Sequence, residues 1–277
     1  MEEVRSLAKS WLESRKVDAI LGLREKNGHI APHLFTETNE LESLTILSHI
    51  GEINSKYFSS NRSQRYKKNV LFLLEQNYPN AKIGIVARGC DERALIELAK
   101  RDQLNLEKIE ILGVACTKKE AINCRCPKPY PTKLDVGKRV EKNSSDMNVE
   151  ALLKKSLPER FSFWKYELSK CIKCYGCRNV CPLCFCEDCE MEQDLWVKVG
   201  QLPSEIPTFH FIRWYHIADR CIECGECEKA CPVDIPLLTI FKLLRTDIKE
   251  LFDYEAGLDV KQEAPLLTTL DETPLKE

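Results

Sequence analysis

Two cysteine runs of identical spacing constrain this chain more than any other feature. Cys171, Cys174, Cys177 and Cys181 are followed by Pro182, and Cys221, Cys224, Cys227 and Cys231 by Pro232. Each run reads C-x2-C-x2-C-x3-C-P. Three closely spaced thiols wrap one iron–sulfur cubane from a tight loop, and the fourth, ahead of the proline, reaches across to the second cubane of a pair. The spacing therefore predicts two [4Fe–4S] clusters. Cluster A takes Cys171, Cys174, Cys177 and Cys231; cluster B takes Cys221, Cys224, Cys227 and Cys181. The runs are not contiguous. An insertion, Leu183 to Arg220, separates them and carries Cys184, Cys186 and Cys189.

Disulfides are a poor use for these thiols. The region from Met1 to Arg24 has no apolar run long enough for a signal peptide, and a chain without one is expected in the cytoplasm. There, fifteen cysteines read as metal ligands. No apolar stretch approaches the roughly 18 residues of a membrane span. A net charge of −2 argues against a dedicated nucleic-acid binder.

Upstream of the runs the pattern is that of an α/β domain. Val4, Leu7, Ala8, Trp11 and Leu12 share one helical face within Met1 to Ser14. Val17 to Leu23 and Ile30 to Phe35 read as strands joined by the Lys26-Asn27-Gly28 turn. His29 and His33 flank that turn and read as surface histidines. Helices are expected over Asn39 to His49 and Asn61 to Asn77, the second ended by Pro79 and carrying Lys67 and Lys68 on a solvated face. Lys82 to Ala87, a helix capped by Asp91 and running to Asp102, and Ile109 to Val114 form a strand–helix–strand unit, predicting a parallel pair.

The carboxyl ends of those two strands carry Arg88-Gly89-Cys90-Asp91 and Ala115-Cys116, and such ends are where ligands gather in parallel sheets. Gly89 leaves room for a close backbone approach. Cys90 is expected near the positive end of a helix, which favours a thiolate; a buried structural cysteine is the alternative. The same helix end suits a flavin or nucleotide phosphate, although the Asp91 carboxylate competes for those amides. Cys124 and Cys126 follow Cys116 closely, and Pro127, Pro129 and Pro131 hold their loop extended.

Lys138 to Lys155 reads as a linker or exposed helix. Phe161, Phe163, Trp164 and Tyr166 are expected to shield a cluster, Glu190 to Val199 to form a short helix, and Phe209 to Ile217 to pack before the second loop. His210 and His216 in that run read as packing or hydrogen-bonding residues. Thr239 to Phe252 reads as a closing helix with Ile240, Leu243, Leu244, Ile248 and Leu251 inward. The remainder reads as an acidic tail, mobile or wrapped on a partner. The expected fold class is α+β. Residues 1–144 form an α/β domain with a partly parallel sheet and a cysteine-rich edge loop. Residues 145–252 form a split two-cluster ferredoxin-like domain with an inserted cysteine-rich segment, and 253–277 form the tail.

Seven cysteines remain beyond clusters A and B: Cys90, Cys116, Cys124, Cys126, Cys184, Cys186 and Cys189. They predict at least one further [4Fe–4S] cluster between the sheet edge and the insertion. Zinc is the main rival, since zinc sites built from four cysteines also use short thiolate spacings.

Three stretches resemble a known family: Val86-Ala87-Arg88-Gly89-Cys90-Asp91-Glu92-Arg93-Ala94, Gly113-Val114-Ala115-Cys116, and Cys181-Pro182-Leu183-Cys184-Phe185-Cys186-Glu187-Asp188-Cys189. The similarity runs from about Lys82 to Leu238, and the family is the iron–sulfur beta subunits of formate dehydrogenases and deazaflavin-reducing hydrogenases. The resemblance implies an electron-transfer subunit of a larger redox complex. Its partners would be a flavoprotein, of heterodisulfide-reductase type, and a catalytic oxidoreductase subunit. Several members of that family also carry FAD and reduce a deazaflavin. A flavin-containing oxidoreductase subunit with FAD in the α/β domain is thus the alternative, although no G-x-G-x-x-G fingerprint is present.

Overall fold

Helix α1 (Glu2–Glu13) forms where the sequence places one apolar stripe, and it buries Val4, Ala8 and Trp11. The computed structural model describes residues 1–45, 74, 76–141, 146–186 and 188–268. Strands β1 (Ala19–Lys26) and β2 (His29–Phe35) make an antiparallel hairpin. Its turn uses Asn27 and Gly28 at φ of 55° and 75°, a region those two residues tolerate. β2 is an edge strand, which suits Pro32 because proline has no N–H to pair. The short β3 (Leu44–Thr45) also pairs with β1.

β4 (Ile83–Ala87), α2 (Gly89–Ala99) and β5 (Ile109–Gly113) form the predicted unit. β4 and β5 run parallel from Ile83 opposite Ile109 to Ala87 opposite Gly113. β1 is parallel to β4 as well, giving the order β2-β1-β4-β5. Successive side chains alternate between two cores. Ile20, Phe35 and Leu112 pack with α1. Ala19, Leu21, Leu23, Ile83 and Ile85 pack with Ala94, Leu95 and Leu98 of α2. Burial on both faces explains the nearly unbroken apolar run of β4. Each fully buried Leu or Ile contributes about 1.5–3 kcal/mol, so these two layers are the main stabilising term. Leu183 and Ile222, next to the cysteine runs, belong to the α2-side core. The cysteine-rich C-terminal region is therefore seated on the sheet's helical face.

Several local expectations change. Arg88, not Asp91, is the N-cap of α2; Asp91 sits three residues on and accepts the Arg88 N–H at 2.7 Å. Lys118–Asn123, read as extended, forms helix α3, because Thr117 and Glu120 make a capping box ahead of the prolines. Thr38–Ser43 is a 3-10 turn leading into β3; the rest of the helix expected to His49 lies outside the described residues. So does most of Asn61 to Asn77, and Ser144.

In α5 (Leu157–Ser169), which follows α4 (Met147–Leu153), Phe161 and Tyr166 are 66% and 65% exposed, so among the described residues their rings lie largely in solvent. Trp164 alone of that group packs edge-on to Trp214. Only Glu190–Glu192 is helical in the stretch read as a short helix. There the Asp194 and Glu205 carboxylates accept the Val199 and Lys198 amides, competing with helical hydrogen bonds.

Helix α9 (Leu237–Phe252) buries Leu237, Leu238, Phe241, Arg245 and Ile248, while Leu251 is exposed. The chain turns at Asp253 (φ 48°) and lays Tyr254 into the core beside Ile248 instead. The tail was expected to be mobile or partner-bound, but its first part packs on its own chain. Tyr254 Oη and the Gly257 N–H donate to the buried Glu97 Oε1 at 2.9 and 2.6 Å.

Candidate metal centre

The two cysteine runs fold into matching loops. Lys173 and Tyr175 have φ of 48° and 57° in the first, and Glu223 and Gly225 have 56° and 78° in the second. These left-handed residues curl the backbone around each set of three thiols before a one-turn helix, α6 (Gly176–Asn179) or α8 (Glu226–Lys229). The two short helices pack on each other, bringing the loops face to face. Lys173 N–H donates to Cys171 Sγ at 3.4 Å and Gly176 N–H to Cys174 Sγ at 3.5 Å. Glu223 N–H to Cys221 Sγ and Ile235 N–H to Cys231 Sγ are both 3.4 Å. Such bonds favour a charged sulfur and are one lever on the potential of an iron–sulfur centre.

One cavity is lined by Cys171, Cys174 and Cys177 and, from the other run, by Cys231. Its other walls include Ile172, Phe209, Ile235 and Leu237. Burial pushes the Cys171 and Cys177 thiols up; the Arg213 guanidinium opposes this at Cys177. His210 lines the same cavity, packed between Phe209 and Trp214. Burial lowers its pKa to about 4, keeping it neutral, and its Nδ1 has no partner among the described residues. Four thiols, apolar walls and a spare imidazole nitrogen fit a [4Fe–4S] cluster. Around the second loop, Cys227 has Cys224 and Cys221 as neighbours, and Cys181 of the first run faces Cys224. Burial pushes the Cys221 thiol up to about 12.

Of the other seven cysteines, Cys90, Cys116 and Cys126 are neighbours of one another at the sheet edge. Cys116 lies by Cys90 and Cys126, and burial, then the Cys90 sulfur, push its thiol up to about 12. Cys90 is in the first turn of α2, as the sequence places it. Cys124 ends α3, its sulfur accepting from Lys229 Nζ at 3.4 Å. The proline loop lies directly over the strand ends. A Cβ on Gly89 would meet Lys128 O at 2.4 Å, and one on Gly113 would meet Lys133 O at 2.0 Å. Both glycines are required by that approach.

Cys184, Cys186 and Cys189 line a second pocket, together with Arg178, Arg213, His216 and Arg220. Among the described residues no three Cys, His, Asp or Glu side chains converge on a single-ion position, the matched ferredoxin loops included.

Two of the buried arginines, Arg93 and Arg213, lie against cysteine sulfurs and backbone carbonyls. Arg93 donates to Lys128 O at 3.0 Å, Ile222 O at 3.2 Å and Cys126 Sγ at 3.6 Å. Arg213, on α7 (Thr208–Ile217), donates to Cys184 Sγ and Cys177 O, both at 2.8 Å. Burial disfavours its charge, but the Cys184, Cys177, Cys181 and Cys227 sulfurs raise its pKa well above the ordinary value. A signal for Arg213 was present: Phe209, Arg213 and Ile217 follow one another at four-residue spacing on a buried helical face.

A 4Fe-4S dicluster domain model matches residues 167–235. The chain is 27% identical over 300 aligned positions to the F420-dependent formate dehydrogenase 1 subunit beta of Methanococcus maripaludis, an alignment covering 70% of this chain and 77% of that one. It is 45% identical over 109 positions to the F420-dependent formate dehydrogenase subunit beta of Methanocaldococcus jannaschii, covering 38% of this chain and 29% of that one. Among the described residues no helix is long and apolar enough to cross a membrane.

Proposed function

We propose that the chain, which is similar to F420-dependent formate dehydrogenase beta subunits and matches a 4Fe-4S dicluster domain over residues 167–235, is a member of that family and the iron–sulfur electron-transfer subunit of a multi-subunit redox complex. Of the complexes considered from sequence, the relatives' names favour the formate dehydrogenase type. Residues 1–144 act as the docking and edge-loop domain, 145–252 as a split two-cluster ferredoxin-like domain with its inserted segment, and 253–277 as a tail.

Bound [4Fe–4S] clusters supply one-electron transfer without binding substrate. The chain's own residues hold, shield and bias them. Cys171, Cys174, Cys177 and Cys231 hold cluster A; Cys221, Cys224, Cys227 and Cys181 hold cluster B. Phe209, Ile235 and Leu237 keep water from the first site. Backbone amides donate to the Cys171 and Cys221 sulfurs, and the Arg213 guanidinium lies beside Cys177. Cys90, Cys116, Cys124 and Cys126 offer four thiols for a further cluster at the sheet edge, with Arg88 and Arg93 beside them. Electrons then pass through this chain between a flavoprotein and a catalytic subunit.

The observation that carries this reading is the cavity in which Cys231 joins the three cysteines of the opposite run. Anaerobic iron and sulfide analysis, with EPR after dithionite reduction, tests it. The expectation is about eight irons per chain for the ferredoxin pair and about four more for the sheet edge. A zinc protein without cubane-type EPR signals would overturn it.

A further inference from the structure

On the proposed assignment the ferredoxin pair takes eight of the fifteen cysteines and the sheet edge four. The insertion is left with three, Cys184, Cys186 and Cys189, one fewer than a cubane held by cysteine alone. These three line one pocket, and the side of α7 that closes it carries His216. We infer that Cys184, Cys186 and Cys189, with His216 as the fourth ligand, form a separate [4Fe–4S] site in the insertion, a reading that rests on the chain being an iron–sulfur electron-transfer subunit.

The chemistry of the pocket fits an anionic cluster. Histidine nitrogen replaces cysteine sulfur in some iron–sulfur centres. His216 follows Arg213 by three residues, so the two are neighbours on one side of α7. Three guanidiniums, from Arg178, Arg213 and Arg220, line the same pocket. Arg213 Nη1 is 2.8 Å from Cys184 Sγ. Arg178 hydrogen-bonds Cys189 and is anchored by Glu192 at 2.6 Å. Arg220 lies 5.2 Å from the Phe185 ring and donates to the His216 carbonyl at 2.6 Å, fixing that end of the helix. With three thiolates, a zinc ion and an oxidised cubane core both leave a net charge of −1; only a cubane gains a further negative charge on reduction, which three guanidiniums would offset. The position also suits a relay. Cys184 hydrogen-bonds Cys181, a cluster B ligand, while Cys186 is exposed. The pocket thus has one side against the ferredoxin pair and one at the surface.

The full chain, purified anaerobically with its complex, tests this through iron and zinc content and EPR. Replacing both Cys186 and Cys189 by Ser is expected to remove about four irons per chain while the two ferredoxin EPR signals persist. Unchanged iron, or loss of one zinc instead, overturns the inference. The nitrogen ligand is read separately by ENDOR on protein labelled with 15N-histidine. A strong histidine coupling is expected in the reduced wild type, lost in His216→Cys with iron content retained. No histidine coupling in the wild type, or one surviving in His216→Cys, overturns the histidine assignment. Failure of the electron-transfer reading looks different: the ferredoxin signals would be missing from the wild type.

Discussion

The Arg93 guanidinium donates to the Ile222 carbonyl at 3.2 Å, joining helix α2 of the sheet domain to the second cysteine loop. The same side chain holds the proline loop through Lys128 O and touches Cys126 Sγ. One buried group thus fixes three segments that are far apart in sequence. The spacing between the sheet-edge thiols and the ferredoxin loops depends on it.

Arg93→Met leaves the Lys128 and Ile222 carbonyls buried without their donor. The expected loss of unfolding free energy is about 2–4 kcal/mol by anaerobic chemical denaturation. Arg93→Lys should recover less than half, because a single ammonium lacks the planar fork that reaches several acceptors.

Arg213 acts on charge rather than on shape. A positive group beside sulfur ligands favours the reduced, more anionic state, so Arg213→Gln is expected to lower at least one cluster potential. A charged hydrogen bond of about 1.5–3 kcal/mol, if lost entirely from one oxidation state, corresponds to roughly 65–130 mV for one electron. EPR-monitored redox titration reads the shift, and Arg213→Lys should restore part of it.

Glu97 is fully buried and collects Tyr254 Oη, the Gly257 N–H, Lys100 and Arg101. Tyr254→Phe removes one of these donors and should cost about 1–2 kcal/mol. Glu97→Ala strands Lys100 and Arg101 and should cost about 3–5 kcal/mol. Equal losses from the two variants would show that the returning chain end, not the charge network, carries the stability.

His210 gives the stability a pH dependence of known sign. Burial lowers its pKa from 6.5 to about 4, so the unfolded chain takes up a proton first as pH falls. Its contribution is complete above pH 6.5 and is lost progressively toward pH 4. The full loss is about 3 kcal/mol. His210→Phe should flatten this part of the stability–pH curve, measured as the difference from wild type in parallel denaturation series.

The cysteine runs and the strand–helix–strand unit were legible because each is a local pattern, a fixed spacing or a hydrophobic period. Gly89 was legible for the same reason: it sits at a strand end where only a close backbone approach needs it. What escaped depends on partners remote in sequence. The role of Arg93 rests on Lys128, 35 residues on, and Ile222, 129 residues on. Leu251 has the right period for the buried face of α9, but Tyr254 takes that place after the turn at Asp253. Phe161 and Tyr166 have the composition of a shield, yet lie on the outer side of α5. The seating of Leu183 and Ile222 in the core of the sheet domain, beside Cys90, is likewise announced by no spacing.

The pairing of Cys231 with the first loop is the central claim, and paired variants test it most directly. Cys231→Ser and Cys174→Ser are expected to perturb the same EPR signal, while Cys181→Ser and Cys224→Ser perturb the other. Were Cys231→Ser to alter the signal that Cys224→Ser alters, and to spare the one sensitive to Cys174→Ser, the cross-over between the two halves would be contradicted.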